Sequence, residues 1–338
     1  MRRFPALLVA AVLLTGCGGP VAADAAGSQG PDPIPLGDVA GADAGVLGVA
    51  ALPGGRSVVL LAPPGGPLTL ADVAADGTAT AVPVPGLDAE RPGLTRIAAT
   101  GDGVVVVGTA AGRVALVAVG PQGAGEVQPV GTIGAADVAA VHVAGGPDSL
   151  HLALGGITGT ARVVSVDPAT GAVRGTATLP GTPRDLEPTG DGGAVVATDD
   201  GPAAAVTTVD AAAAVVATAP LGTGSAGPLT VAGGEVYATA GSRGELRITR
   251  GAEVLTTVDG DLPAAIAVDG STATLVDTVS DAEVPRVLER TVDLASGEVT
   301  GEVELCDSGA VAEADLDGEG GGAVVADCRG EPTLWRLG

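Results

Sequence analysis

The chain has 338 residues and carries 40 acidic against 16 basic residues, which gives a formal net charge of −24. Every basic residue other than the two histidines is arginine, so chemistry that needs a lysine, such as a Walker A phosphate loop or a pyridoxal-phosphate Schiff base, is excluded. His142 and His151 are too few for a multi-histidine metal site, and the acidic balance disfavours nucleic acid because phosphate binding needs clustered cations. We therefore predict no cofactor, no metal and no nucleic-acid partner.

The first 16 residues have the pattern of an export signal. Two arginines at positions 2 and 3 precede an apolar run over 6–14, which is shorter than the roughly 20 residues that span a bilayer. The sequence LTGC then ends at Cys17 and resembles the bacterial lipoprotein box. This resemblance implies cleavage before Cys17, a lipid on its side chain and an extracytoplasmic protein anchored to a membrane, at the cell surface or in the periplasm. An ordinary secretory signal is the alternative.

Residues 17–31 have no hydrophobic periodicity and predict a flexible tether. A tether of this length reaches roughly 20 Å, so the folded domain, predicted over 32–338, would stay close to the membrane. Anionic lipid head groups would repel the acidic domain, and we expect contact with the membrane only through the lipid on Cys17. The protein is predicted to be a monomer.

From about residue 46 the chain repeats an apolar strand, a Gly/Asp turn and a second apolar strand. Seven copies are recognisable, with steps of 36 to 50 residues between their turn glycines, which are Gly55, Gly103, Gly146, Gly192, Gly234, Gly270 and Gly320. A period in the low forties with four candidate strands is typical of a β-propeller blade. The sequence therefore predicts an all-β, seven-bladed β-propeller. The alanine-rich segment from Ala211 is assigned to a strand by its place in the repeat.

The third copy shows how each blade continues. Its sequence ARVVSVDPATGAVRGTATLP predicts a third strand over 162–166, a turn that ends with a positive φ at Gly171, and a fourth strand over 172–179. The turn DPATG resembles the turns of YVTN and PQQ-like propeller repeats. This resemblance implies a fold and does not by itself imply an activity.

Ring closure is predicted from the last copy, which supplies three strands, over 310–315, 323–327 and 333–337. The segment DPIPLG at 32–37 is predicted to add the missing outer strand. Pairing an N-terminal strand with the C-terminal blade would remove an exposed sheet edge at the seam.

Two cysteines, Cys306 and Cys328, lie 22 residues apart in the last copy. In an exported protein we expect them to form a disulfide bond, and two free thiols are the alternative. The segment from Asp315 to Gly320 partly resembles a calcium loop, but the same place in other copies is an ordinary turn, and the turn is favoured. His142 and His151 are interpreted as two hydrogen-bonded structural imidazoles.

One face of the predicted ring collects charged residues. This loop face is formed by the links between blades and by the turns between second and third strands. Arginine there can bind carboxylates or phosphates through paired donors; simple solvation of surface turns is the alternative. The residues predicted to bind a ligand are Arg91, Arg113, Arg184, Asp199, Asp200, Arg243, Asp259, Asp261 and Arg329.

Two functions from different classes fit this sequence. The first is a membrane-anchored propeller that acts as a binding or scaffold module for an envelope protein or a small ligand. The alternative is an extracytoplasmic propeller enzyme, either a lactonase-like hydrolase or lyase or a PQQ-type oxidoreductase. PQQ sites commonly stack the cofactor on tryptophan, and Trp335 is the only tryptophan. We find no pairing of a nucleophile with a base, which favours the first function.

Overall fold

The computed structural model describes residues 30–101, 103–146, 148–280, 284–317 and 321–338. The described chain folds into seven antiparallel sheets, each built mainly from four strands in sequence order. The first strand of every blade contacts the first strands of both neighbouring blades, and the first strand of the last blade contacts that of the first. The sheets therefore form a closed ring, and the predicted seven-bladed β-propeller is confirmed.

The first four blades are formed by residues 45–223. Blade 1 consists of β2 (Gly45–Leu52), β3 (Arg56–Ala62), β4 (Leu68–Val73) and β5 (Ala79–Val84). Blade 2 consists of β6 (Arg96–Thr100), β7 (Gly103–Ala110), β8 (Arg113–Gly120), the short β9 (Gly123–Ala124) and β10 (Gln128–Gly134). Blade 3 consists of β11 (Val138–Gly145), β12 (Leu150–Gly156), β13 (Thr160–Val166) and β14 (Val173–Pro180). Blade 4 consists of β15 (Thr182–Pro188), β16 (Ala194–Asp200), β17 (Ala203–Val209) and β18 (Val215–Thr223).

The last three blades complete the ring. Blade 5 consists of β19 (Ser225–Ala232), β20 (Glu235–Ser242), β21 (Glu245–Arg250) and β22 (Glu253–Asp259). Blade 6 consists of β23 (Ala265–Asp269), β24 (Thr272–Val279), β25 (Arg286–Asp293) and β26 (Val299–Cys306). Blade 7 consists of β27 (Gly309–Leu316), β28 (Gly322–Cys328), β29 (Glu331–Leu337) and, as its outermost strand, β1 (Ile34–Pro35). One helical turn, α1 (Gly37–Ala40), and two 3₁₀ turns, Pro92–Leu94 and Ala135–Asp137, lie in the connections.

The core is divided among the contacts between blades. Among the described residues, buried apolar side chains form seven clusters, and each cluster joins two consecutive blades. Valine, alanine and leucine make up nearly all of them, as expected where pleated sheets pack face to face. Each small side chain contributes little buried area, so stability depends on the sum of many such contacts.

The N-terminal strand closes the ring as predicted. Strand β1 pairs antiparallel with β29, with Ile34 opposite Leu334. The backbone N–H of Leu36 then donates to the Pro332 carbonyl at 2.9 Å. The Leu36 side chain is completely buried and packs in the cluster that joins blades 7 and 1. The first and last parts of the folded chain are thus held in one sheet, which leaves no seam between them.

The turn of the third copy has the predicted geometry. Gly171 has a φ of 70°, and its N–H donates to the Asp167 carbonyl at 2.9 Å. The prediction for the alanine-rich segment was partly wrong, because strand β18 begins only at Val215. Asp210 Oδ1 accepts the backbone N–H groups of Ala212 and Ala214 at 2.9 and 2.8 Å. These side-chain hydrogen bonds favour a turn over residues 210–214. The alanine content of this segment does not by itself predict that turn.

Cys306 and Cys328 are bonded, with their Cα atoms 6.0 Å apart. The bond joins the last strand of blade 6 to the second strand of blade 7, so it crosses a blade interface. Trp335 is 2% exposed and packs in the apolar cluster of the same interface. This position gives the tryptophan a role in packing and keeps its ring away from the central channel.

The predicted leader and most of the tether, with Cys17, fall outside the described residues. Within the described ranges, no helix has both the length and the apolar character needed to cross a membrane.

Candidate ligand-binding channel

The first strands of the blades enclose a central channel. Two adjoining cavities of about 360 and 370 Å³ occupy it. Both cavities are lined by the same five ionisable residues, which are Arg96, His142, Asp185, Glu187 and Glu313. Because each of these residues lies in a first strand, the repeat that builds the blades also brings their side chains together.

The charged groups are distributed along the channel axis. Each first strand begins at the loop face, so Arg96, at the start of β6, lies towards that face. Glu187 and Asp315 lie close to the ends of β15 and β27, and therefore towards the opposite opening. The channel thus has a guanidinium towards one end and carboxyl groups at the middle and at the other end.

Two β-bulges precede the channel carboxyl groups. The register of β15 against β16 shifts between Pro183 and Asp185, and that of β27 against β28 shifts between Val311 and Glu313. A bulge bends the strand and changes the direction of the next side chain, and bulges are common beside functional sites. Similar shifts occur in the first strands β2, β11 and β19, so the bulge belongs to the repeat. In blades 4 and 7 an acidic residue follows it.

Two of the carboxyl groups bind the backbone of the next blade. Asp185 Oδ2 accepts the N–H of Leu229 at 2.8 Å, and Asp315 Oδ2 accepts the N–H of Ala51 at 2.7 Å. The inner edge of a first strand has no neighbouring strand, so its N–H groups need other acceptors. Asp185 and Asp315 therefore have a structural role between blades 4 and 5 and between blades 7 and 1.

Glu187 and Glu313 differ from these two residues. The structure gives neither side chain a hydrogen bond or an ion pair with any described residue. Glu187 keeps part of its surface open to the channel, yet protein atoms surround its carboxyl group, and this burial raises its pKa well above the usual value. Repulsion from Asp185 and Asp315 raises it further. Burial also raises the pKa of Glu313, against the opposing effect of Arg96.

The pKa values of Asp185 and His142, which also line the channel, are shifted as well. Burial raises the pKa of Asp185 to about 6, although hydrogen bonds from Leu229 and Leu186 oppose the shift. Burial lowers the pKa of His142 to about 4, with a smaller effect from Arg96. The His142 imidazole is therefore neutral at pH 7. The channel thus contains carboxyl groups that hold protons more strongly than usual beside an imidazole that holds one more weakly.

The two histidines have separate roles. His151 is completely buried, and its Nε2 lies 2.9 Å from the Gly192 carbonyl of the next blade, so it packs and donates as a structural imidazole. His142 lines the channel instead. Sequence analysis treated both as structural residues and did not place His142 in a site. Among the described residues, no group of three or more His, Cys, Asp or Glu side chains is arranged to hold a metal ion.

The nine residues predicted to bind a ligand mostly lie outside the channel. Arg184 lines one of the two cavities, and its Nε donates to Asp199 Oδ2 at 2.7 Å. Asp199 Oδ1 in turn accepts the N–H of Ala226 at 2.5 Å, which links two blades. Arg91 donates to the Ala135 carbonyl at 3.2 Å.

The other predicted residues lie at turns or strand ends and are exposed: Arg113, Asp200, Arg243, Asp259, Asp261 and Arg329. Two of them have partners. Asp261 Oδ1 accepts the N–H of Gly244 at 3.2 Å, and Arg329 Nη2 lies 2.6 Å from Asp307 Oδ2. A ligand role for these residues stays a prediction.

Sequence analysis missed the channel carboxyl groups because it searched the loops for charge. The signal is present in the repeat itself. Asp185 lies opposite Ala197 and Glu313 lies opposite Val325, and each partner is the fourth residue of its second strand. The two acidic residues therefore occupy equivalent positions in copies four and seven. Aligning the first strands of the copies would have identified them.

The channel charge should make stability depend on pH. The native carboxyl groups hold protons that the unfolded chain has released above pH about 4, so stability should fall as the pH rises through about 6, the range set by Asp185, and further for Glu187. Glu187→Gln removes one such group. We expect it to raise the free energy of unfolding at pH 7.5 and to leave it unchanged at pH 4, in urea titrations at both pH values.

The size of the gain is about 1.4 kcal/mol for each unit by which folding raises the pKa of Glu187. Glu126→Gln is the matched control, since Glu126 is an exposed residue outside the channel. A Glu187→Gln variant with equal effects at both pH values would contradict a buried, protonated Glu187.

The fold defines the class of this protein: it is a seven-bladed β-propeller with a charged central channel. The sequence matches no protein-family model and no curated protein. Its fold is similar to a chain of the mitotic checkpoint complex, with a TM-score of 0.63 and 13% identity over 98% of both chains.

It is also similar to virginiamycin B lyase from Staphylococcus aureus, with a TM-score of 0.64 and 12% identity over 90% of this chain and 98% of the lyase. A catalytically inactive histidine-to-alanine variant of that lyase, with quinupristin, is similar at a TM-score of 0.63 and 12% identity over the same shares. At these identities the likeness shows the fold alone.

Proposed function

We propose that this protein is an extracytoplasmic binding module, attached to a bacterial membrane through a lipid on Cys17, that takes a small ligand or an envelope protein at its central channel. The observation that carries the proposal is a closed ring around a channel whose charged side chains are only partly paired within the protein. Arg96 donates to the Thr95 carbonyl at 2.7 Å and has no ion pair among the described residues, and neither Glu187 nor Glu313 has a partner there.

The anchor rests on the lipobox-like sequence before Cys17. We expect the wild-type protein to sediment with the membrane fraction of a bacterial host and to incorporate labelled palmitate. Cys17→Ser should abolish labelling and release the protein into the soluble extracytoplasmic fraction, because a lipid chain holds through its buried methylene groups. Thr15→Ser, which alters the leader and keeps the cysteine, is the control. A Cys17→Ser protein that still carries labelled lipid would contradict the anchor.

The binding role is tested on the same lipidated protein. Cross-linking in intact envelopes, followed by mass measurement, should find one reproducible adduct on the wild-type protein. The adduct should be lost from a variant with Arg96→Gln and Glu313→Gln and kept by Glu126→Gln. An adduct that persists in the channel variant would place binding elsewhere and contradict this proposal.

A propeller hydrolase or lyase is the second candidate. Its supporting observation is the proximity of a neutral imidazole, on His142, to carboxyl groups with raised pKa values, on Asp185 and Glu187, since groups of this kind can act as general base and acid. A divalent cation that raises the melting temperature by several degrees would favour this candidate. The buried position of Trp335 does not support the PQQ-type oxidoreductase, because its ring packs between blades.

A further inference from the structure

Two glutamates in the channel have no hydrogen-bond or ion-pair partner among the residues that the structure describes. Glu187 and Glu313 lie on opposite parts of the ring, in blades 4 and 7, and both line both cavities. Protein atoms surround the Glu187 carboxyl group, while an opening to the channel remains. Desolvation of a carboxyl group disfavours its ionised form, and Glu187 has no hydrogen bond from a described residue that would oppose this effect. Glu187 therefore has a cost to the fold that its own contacts do not offset.

No cation among the described residues forms an ion pair with these carboxyl groups, although Arg96 opposes the rise in the pKa of Glu313. Arg96 directs Nη1 to the Thr95 carbonyl and forms no ion pair with a described residue. Arg184 is already paired with Asp199, and His142 is neutral at pH 7 because burial lowers its pKa to about 4. Five acidic side chains, those of Asp185, Glu187, Glu313, Asp315 and Asp317, line the channel. Arg96 is the guanidinium there that has no ion pair among the described residues. The channel favours a positively charged occupant.

The arrangement suits an organic cation better than a metal ion. The described residues contain no group of three or more acidic, His or Cys side chains that converge on one point, and calcium needs six to eight oxygen ligands. An alkyl chain with an ammonium group at each end can instead reach carboxyl groups that lie apart. A cavity of about 360 Å³ has room for a ligand of this size.

We propose that the channel binds an aliphatic ammonium ligand, with Glu187 and Glu313 as the groups that accept its N–H donors. This inference rests on the proposed binding function and names the ligand class. Asp185 and Asp315 already accept backbone N–H groups, so they contribute negative potential and not direct contacts. Arg96 lies towards the loop face, and the ligand lies closer to the other opening.

Ligand binding is coupled to proton release. A cation stabilises the ionised form of a nearby carboxyl group, and Glu187 is the group whose pKa burial raises most clearly. The ionisable groups that line the same cavities are Asp185 and Arg184 on its own strand, Glu313 and Asp315 on β27, Asp317 just beyond β27, His142 on β11 and Arg96 on β6. Binding should therefore release protons from this group of residues at pH values near 6, the range that Asp185 sets, and above it for Glu187.

The experiment uses the detergent-solubilised full-length protein and 1,5-diaminopentane as the probe, with 1-pentanol and glutarate as neutral and anionic counterparts. Titration calorimetry at pH 6.5, in two buffers with different ionisation enthalpies, measures affinity and proton release together. We expect saturable binding of the diamine with release of protons, and no binding of the two counterparts.

Glu187→Gln should weaken diamine binding at least tenfold and reduce the number of protons released, while the fold is retained or stabilised. Glu126→Gln, an exposed change of the same kind, should bind as the wild type does and so controls for attraction to the acidic surface. Equal binding by Glu187→Gln and wild type, or preferred binding of glutarate, would overturn the proposal. If the diamine does not bind, membrane attachment and the envelope adduct can still be observed. Failure of this inference is therefore distinguishable from failure of the proposed binding function.

Discussion

Leu36→Ala should lower the free energy of unfolding by about 2–5 kcal/mol, because it removes a large side chain from a site that is completely enclosed. Leu36 follows the only strand that the N-terminal part of the described chain adds to blade 7. Its side chain packs with Val59 and Leu334, which belong to blades 1 and 7. The cavity would therefore open at the point where the ring is closed, and urea titration followed by circular dichroism measures the loss.

The matched control is Ile157→Ala, which removes an aliphatic side chain that is 72% exposed and should change stability by less than about 0.5 kcal/mol. Limited proteolysis provides a second measurement. In the Leu36→Ala variant, cleavage within residues 30–44 should become faster, since local opening of β1 needs less free energy. If Leu36→Ala and Ile157→Ala had the same stability, the N-terminal strand would not contribute to ring closure.

Removal of the disulfide bond should lower the free energy of unfolding by about 3 kcal/mol, because the bond reduces the conformational entropy of the unfolded chain. The bond joins Cys306 and Cys328, which lie 22 positions apart in the sequence, and it restricts the unfolded chain between blades 6 and 7. The double variant Cys306→Ala and Cys328→Ala removes it. We expect a lower urea midpoint than for the wild type and a steeper transition, because the unfolded chain without the bond is less compact and exposes more surface.

Reduction of the wild-type protein is the control that separates the bond from the side chains. Reduced wild type should lose most of the same free energy, while the double variant should not respond to the reductant. Cys306 is 3% exposed and belongs to an apolar cluster, so its replacement also removes some packing. A reduced wild type as stable as the oxidised protein would show that the bond has no effect on stability.

The carboxyl groups of the channel lower the stability of the fold at neutral pH and are also the groups that could bind a ligand. Glu187 raises the energy of the folded state at neutral pH, whereas Asp185 and Asp315 offset part of their own burial by accepting backbone N–H groups. An apolar or amide side chain at position 187 would be the more stable choice. Functional sites often retain residues of this kind at the expense of stability. For this reason both the predicted pH dependence and the ligand proposal are tested at Glu187.

Much of the fold could be predicted because the strands of one blade follow one another closely in the sequence. The turn from Asp167 to Gly171 and the apolar strands around it specify a hairpin within a few residues. Closure by residues 32–37 was also predictable, because a blade with three strands leaves an exposed edge that favours another strand. The start of β18 was not, since Asp210 sets the turn through side-chain hydrogen bonds.

The candidate site could be predicted only in part. Arg184 was identified from its charge and lines a cavity, but Glu187, Glu313 and His142 were not assigned to any site. Whether these side chains line the channel depends on which face of each first strand is turned towards it. A β-bulge beside Asp185 or Glu313 changes that direction by one residue, and a one-residue change reverses the side of the strand on which a side chain lies.

The sequence by itself determined the all-β class, the number of blades, the partner strand for the last blade and the pairing of the two cysteines. The first three features follow from the spacing of turns and apolar strands, which is a property of neighbouring residues. The cysteine pairing was expected because exported proteins commonly form disulfide bonds. Only the tertiary structure decided that charged residues from strands as distant in sequence as β6, β15 and β27 share one channel. Closing the ring brings these strands together, and burial within it then sets the protonation of their side chains.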